Sequence, residues 1–184
     1  MEFQEKFIDR NIAELCKEYD TIHGANVNLA RITPDLIDGL KPVQRRALYI
    51  MYLKDQGKTF RKLATISGDT FGRVHPHAPT SIEDALVGIA QEWQNNIPLV
   101  EGEGNWGSVS GDPAGASRYI KGRLSEYAQA CFFDDWKDSV VDMDMGYDEE
   151  TKEPRYLPAK YPNVLLNGCL GIGYGMSSNL PCFN

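Results

Sequence analysis

Apolar residues recur at helical spacing over residues 3–19, where Phe3, Phe7, Ile8, Ile12, Leu15, Cys16 and Tyr19 stand among charges. The spacing predicts an amphipathic helix that packs on a neighbour. A Gly- and Asn-containing stretch at 23–28 predicts a break. Asp38-Gly-Leu-Lys-Pro42 leads into a second helical run over 43–53, with Pro42 suited to a first helical turn. Within 60–71, Leu63, Ile66, Thr70 and Phe71 share one helical face. Thr80-Ser-Ile-Glu83 has the form of a capping box ahead of Ala85, Leu86, Ile89, Ala90 and Trp93. Three β-rich runs bordered by Gly, Pro or Asn, at 98–101, 140–145 and 164–166, predict strands. Short helices joined by tight turns and followed by strands predict a helix-rich α+β fold, a helix-turn-helix or winged-helix domain with small antiparallel β-sheets. The expected division is an N-terminal helical arm over 1–28 and a winged-helix domain over 29–184. No internal repeat or low-complexity segment interrupts it.

Composition narrows the classes. With 184 residues, 42% of them apolar, the chain can bury a core without disulfide or metal staples. No window approaches the roughly 18 consecutive apolar residues of a membrane span, and the first residues lack signal-peptide order, so the expected location is the cytoplasm. Cys16, Cys131, Cys169 and Cys182 are far apart and form no C-x-x-C pair, the pattern of free thiols rather than of a zinc site or disulfide framework. A net charge of -7 argues at first against nucleic acid, because phosphate neutralisation supplies most DNA affinity. The distribution reverses that inference. Nine basic residues face four acidic ones between positions 31 and 73, a candidate DNA surface, whereas nine acids face two lysines between 134 and 153, a stretch expected to point away from DNA or toward a partner protein.

Four motifs carry candidate chemistry. Gly102-Glu-Gly-Asn-Trp-Gly107 has G-x-G-x-x-G spacing, but the residues after it are loop-forming, whereas a dinucleotide site needs a helix opening there. Asp142-Met-Asp144 places two carboxylates on one face of a strand, yet a hard cation needs further oxygen ligands, and a solvated strand face explains the pair. His75-Pro-His77 has no third ligand nearby that would make it a zinc site. Tyr119 is preceded by Arg118 and followed by Lys121 and Arg123. A phenol of pKa about 10 is a weak nucleophile at neutral pH, so an enzyme using one must place cations near it and near the phosphate it attacks.

Five blocks resemble, in order and at matching spacing, the breakage-reunion region of the DNA gyrase A and topoisomerase IV family: Arg31-Ile-Thr-Pro-Asp-Leu-Ile-Asp-Gly-Leu-Lys-Pro-Val-Gln-Arg-Arg46; Gly72-Arg-Val-His-Pro-His77; Val100-Glu-Gly-Glu-Gly-Asn-Trp-Gly-Ser108; Ala116-Ser-Arg-Tyr119; and Pro162-Asn-Val-Leu-Leu-Asn-Gly168 running on to Gly171-Ile-Gly-Tyr-Gly-Met176. The resemblance implies the DNA-cleaving subunit of a type IIA topoisomerase. Tyr119 would be the transesterifying nucleophile, with a 5′-phosphotyrosyl intermediate, and Arg118, Arg31 and His77 would surround the scissile phosphate with His75 in support. Lys41, Arg45 and Arg46 would contact DNA phosphates, and Ile172 would wedge between base pairs and bend the duplex.

The same resemblance implies two kinds of partner, double-stranded DNA and a B-type TOPRIM/ATPase protein, the latter docked by the N-terminal arm. It implies a homodimer through the DNA gate within an A2B2 heterotetramer, with Mg2+ held by the partner's TOPRIM domain and ATP used by its ATPase domain. The family continues beyond this region into a tower, coiled coil and exit gate, so the chain reads as the N-terminal part of a longer polypeptide. Departures are those of a divergent member, such as a viral or mobile-element one. Ala78-Pro79 follow the histidines where glycine and an acid are usual, and Gln44 stands where histidine is frequent. Thr80 and Asp84 occupy positions associated with quinolone binding. Two other readings stay open: a non-catalytic winged-helix DNA-binding module, and a metabolic enzyme using the 102–107 loop for a nucleotide.

Overall fold

The computed structural model describes residues 9–137 and 139–183. Helix α1 (Ile12–Arg31) is capped by Asn11, whose side chain accepts from the Ala13 N–H. It runs unbroken through 23–28, contrary to the predicted break. A lone glycine is tolerated inside a helix, and Gly24 is the one position of α1 that is buried, packed on the Tyr174 ring. The remaining predicted positions Phe3, Phe7 and Ile8 lie outside the described residues.

Helix α2 (Pro42–Leu53) is the central element: Ala47, Leu48, Tyr49, Ile50 and Met51 are all buried. Pro42 occupies its first turn, and the Lys41 N–H donates to Gln44 Oε1 at 3.0 Å, so Gln44 satisfies a backbone donor at the start of the helix. Strand β1 (Arg61–Lys62) leads directly into α3 (Leu63–Arg73), and α4 (Pro79–Ala90) follows. The expected Thr80 cap is corrected: α4 starts two residues earlier, with Ala78 as N-cap and Pro79 supplying the helical φ of the first position. Trp93 falls beyond its end and is exposed. Helices α2, α3 and α4 bury Leu48, Leu63, Ile66, Ile82, Leu86 and Ile89 in a common core.

Strands β2 (Val100–Glu103) and β3 (Lys121–Leu124) complete an antiparallel sheet in the order β1-β3-β2, the wing beside the α3–α4 helical pair. Gly102 and Gly122 face each other in register under Trp106, where a Cβ on Gly102 would lie 2.3 Å from Trp106 Nε1. The chain then turns through α5 (Glu126–Ala128) and a π-turn, placing Phe132 and Phe133 in the core. Two hairpins follow, β4 (Met143–Met145) with β5 (Lys152–Pro154) and β6 (Cys169–Ile172) with β7 (Ser177–Leu180). Between them the expected strand at 164–166 is instead helix α6 (Asn163–Asn167). A short apolar run does not discriminate strand from helix, and polar ties decide here. Asn163 Nδ2 donates to the Asp38 carbonyl at 3.2 Å, and Asn167 Nδ2 donates to Asn163 Oδ1 one turn back. The helix-rich α+β winged-helix architecture with small antiparallel sheets matches the expectation. No helix among the described residues is long and apolar enough to cross a membrane.

Candidate active site and nucleic-acid interface

Tyr119 sits in a turn directly ahead of β3, its N–H donating to the Ala116 carbonyl at 2.8 Å. The turn is fastened to the start of α3, because the unsatisfied N–H groups of a helix N-terminus need acceptors. Leu63 N–H takes the Ile120 carbonyl at 3.0 Å and Ala64 N–H takes that of Ser117 at 3.1 Å. Ile120 is buried in the core, so the backbone on both sides of Tyr119 is fixed while the residue itself is 71% exposed. The Arg118 guanidinium carbon lies 4.7 Å from the Tyr119 ring centroid, a cation–π contact. Lys121 and Arg123, the other cations of this stretch, are opposed in register by Glu103 and Glu101 and form ion pairs with them at 2.8 and 2.7 Å. Arg118 is therefore the basic side chain of this stretch that contacts the tyrosine directly.

A second group gathers where α3 ends. His75 is buried and stacks on the exposed His77 with ring centroids 4.4 Å apart. Arg46 places Nη1 3.0 Å from His75 Nδ1, and its other edge grips Glu153 through two bonds of 2.5 and 2.7 Å. A guanidinium only donates, so His75 Nδ1 must accept and the ring proton resides on Nε2. Burial above all, then the neighbouring His77 and Arg46, lowers the His75 pKa to about 4, so the ring is neutral near pH 7.

The third group surrounds the junction of α1 and α2. Arg31 ends α1 and is exposed. It lines a cleft of about 310 Å³ with Lys41, and an adjoining cleft of about the same volume with Ile172. Lys41 Nζ donates to the Leu170 carbonyl at 2.5 Å. Ile172, the last residue of β6, is 84% exposed. Among the described residues no hydrogen bond or ion pair joins the Tyr119 turn to either of the other two groups.

Arg45 departs from the expectation of a phosphate contact. It is buried, and its Nε and Nη2 bind the two Asp38 carboxylate oxygens at 2.6 and 3.0 Å, with Asp38 fully buried. Asp38 also accepts from the Leu40 and Leu157 N–H groups, so the pair locks α2 to the segment before α6. Sequence reasoning misses three residues. Glu153 falls within the acidic stretch expected to point outward, and Asn28 and Tyr174 carry no role in any motif. Their partners are distant in sequence, so no local signal marks them.

The other motifs resolve simply. Gly102 lies in β2 and Gly107 in the loop after it, with no helix opening there. Asp144 is engaged by Arg155 at 2.8 Å, which leaves the Asp142/Asp144 pair one carboxylate for a cation, too few oxygens for a divalent ion.

Residues 31–184 match the family model of the A subunit of DNA gyrase/topoisomerase IV. The chain is 43% identical over 183 residues to the DNA gyrase A subunit of Chlamydia muridarum, covering 98% of this chain and 22% of the relative. It is 42% identical over 185 residues to that of Staphylococcus aureus, covering 98% and 20%, and 46% identical over 166 residues to that of Granulibacter bethesdensis, covering 88% and 17%. It thus spans about a fifth of the length of these relatives. With a match over most of its length, the chain belongs to the A-subunit family of DNA gyrase and topoisomerase IV.

Proposed function

We propose that this chain is the DNA-cleaving region of a type II topoisomerase, with Tyr119 as its nucleophile. The observation that carries the reading is the Tyr119 turn: an outward phenol on a backbone fastened to α3 and β3, with Arg118 on its ring. The phenolic oxygen attacks a backbone phosphorus, the P–O3′ bond breaks as the O–P bond forms, and a 5′-phosphotyrosyl ester retains the free energy of the broken link. Religation is the reverse step. Arg118, Arg31 and His77 are proposed to stabilise the charge that builds on the phosphate, since fixed donors aimed at developing charge are worth most in such sites. Neutral His75, oriented by Arg46, supports His77 from beneath. Lys41 contributes a phosphate contact, and Ile172 enters the duplex and bends it.

The relatives bear the name of DNA gyrase A subunits, and from that we take the wider setting. A homodimer closes a DNA gate, a B-type TOPRIM/ATPase protein completes an A2B2 enzyme, and a second duplex passes through the break in an ATP-driven cycle in the cytoplasm. Mg2+ held by the TOPRIM domain would supply Lewis-acid stabilisation at the reacting phosphate. The N-terminal arm is the proposed docking element for that partner: Ile12 and Tyr19 of α1 are exposed apolar side chains.

The test is a cleavage assay on this region in its full-length polypeptide, joined by a TOPRIM-bearing partner, Mg2+ and labelled duplex, quenched with denaturant and peptide-mapped. A DNA adduct on Tyr119 is expected. It should be absent in Tyr119→Phe, which lacks the hydroxyl that forms the ester. Duplex binding without any adduct would instead favour the non-catalytic winged-helix module.

A further inference from the structure

The β6–β7 hairpin is tied to α1 by side chains that the proposed reaction does not use. Asn28 Nδ2 donates to the Tyr174 carbonyl at 3.0 Å, and the Tyr174 N–H donates to Asn28 Oδ1 at 2.7 Å. One carboxamide thereby satisfies both backbone groups of one residue, as a neighbouring strand would. The Tyr174 hydroxyl donates to Asp20 Oδ1 at 2.6 Å, two turns back along α1. The fit leaves no slack: a Cβ on Gly173 would lie 2.4 Å from Asn28 Oδ1, and one on Gly24 would lie 2.8 Å from the Tyr174 ring. Ile172 pairs with Ser177 at the last rung of the hairpin, one residue before this tight approach.

An isoleucine exposed this far gains nothing from its own burial, so its attitude is set by what holds the backbone beside it. We propose that Asn28, together with Asp20 and Tyr174, forms a positioning clamp that holds Ile172 in the orientation needed to enter and bend DNA. The clamp depends on Ile172 being the bending residue, as proposed above. It works by limiting the turn to one conformation. The bent complex then need not order the hairpin as it forms, and the population of bent DNA rises by the ratio in which the clamp favours that conformation.

The experiment uses the full-length polypeptide with its TOPRIM-bearing partner and a duplex carrying a fluorescence energy-transfer pair at its ends. Bent population, duplex affinity and cleavage are read in parallel. Asn28→Ala should lower the bent population on the order of tenfold, the effect of losing two hydrogen bonds. Duplex affinity, carried by phosphate contacts, should change little. Tyr174→Phe, which removes only the bond to Asp20, should act in the same direction and less. Asn28→Asp keeps the acceptor and loses the donor, so it should fall between; these two variants carry the test if Asn28→Ala does not fold. Because the clamp acts through Ile172, Asn28→Ala combined with Ile172→Ala should bend no less than Ile172→Ala alone, a non-additivity that a merely structural tie would not give. Bending by the clamp variants equal to that of the parent, or losses that add to Ile172→Ala, would overturn the clamp. If Ile172→Ala itself bends DNA like the parent, the assignment of Ile172 fails, a result distinct from failure of the clamp alone.

Discussion

Arg45 and Arg46 are consecutive on α2, yet they serve two different regions. Arg45 turns into the interior against fully buried Asp38, while Arg46 reaches Glu153 and His75, the latter stacked on exposed His77. Successive helical residues are about 100° apart, so two identical side chains in series necessarily face different surroundings. In the first region both Asp38 carboxylate oxygens and the Nε and Nη2 of Arg45 are engaged within the fold. In the second, Arg46 orients a neutral histidine whose stacked neighbour remains open to solvent. A basic pair in a candidate DNA-binding segment therefore cannot be counted as two phosphate contacts.

The largest effect separating the two regions should come from Arg45→Ala. Removing one partner of a buried pair strands the other charge, at a cost of about 3–5 kcal/mol. Denaturant unfolding should show that loss. If it costs no more than a surface substitution, the division between a structural and a functional arginine fails. Glu153→Gln should cost less, about 1–2 kcal/mol, because Arg46 remains partly hydrated. It should also loosen the bond from Arg46 to His75, which ring-nitrogen chemical shifts would report as movement of the proton from Nε2 toward Nδ1. Unchanged shifts would detach Glu153 from the histidine.

A third effect is the pH dependence of the His75 region. A histidine whose pKa is lowered in the folded state binds fewer protons there than when unfolded. Its contribution to stability is complete above its ordinary value of 6.5 and drains away as pH falls toward about 4. The melting temperature should therefore decline between pH 7 and pH 5, and His75→Asn should flatten that decline. An unchanged slope in the variant would assign the pH dependence elsewhere.

Legibility in the sequence follows the range of the interactions. Helices α2, α3 and α4 are visible because their apolar positions repeat with the helical period, and Pro42 marks a start. The Tyr119 turn is visible as a cluster of cations around one aromatic. The stretches at 23–28 and 164–166 mislead because Gly24 packs on Tyr174 and Asn163 bonds to Asp38, contacts across more than a hundred residues that no local window contains. Glu153 reads with its acidic neighbours, yet its partner Arg46 lies 107 positions away.

By itself the sequence determined the class of fold and nominated candidates for its chemistry, because periodicity, proline placement and short motifs are local properties of the chain. Tertiary structure alone decided which charges remain available. Arg45, Lys121 and Arg123 are each matched by a carboxylate that only folding brings within bonding distance, whereas Arg118 is left stacked on Tyr119. Charge neutralisation depends on separations of a few ångströms in space, which sequence spacing does not encode.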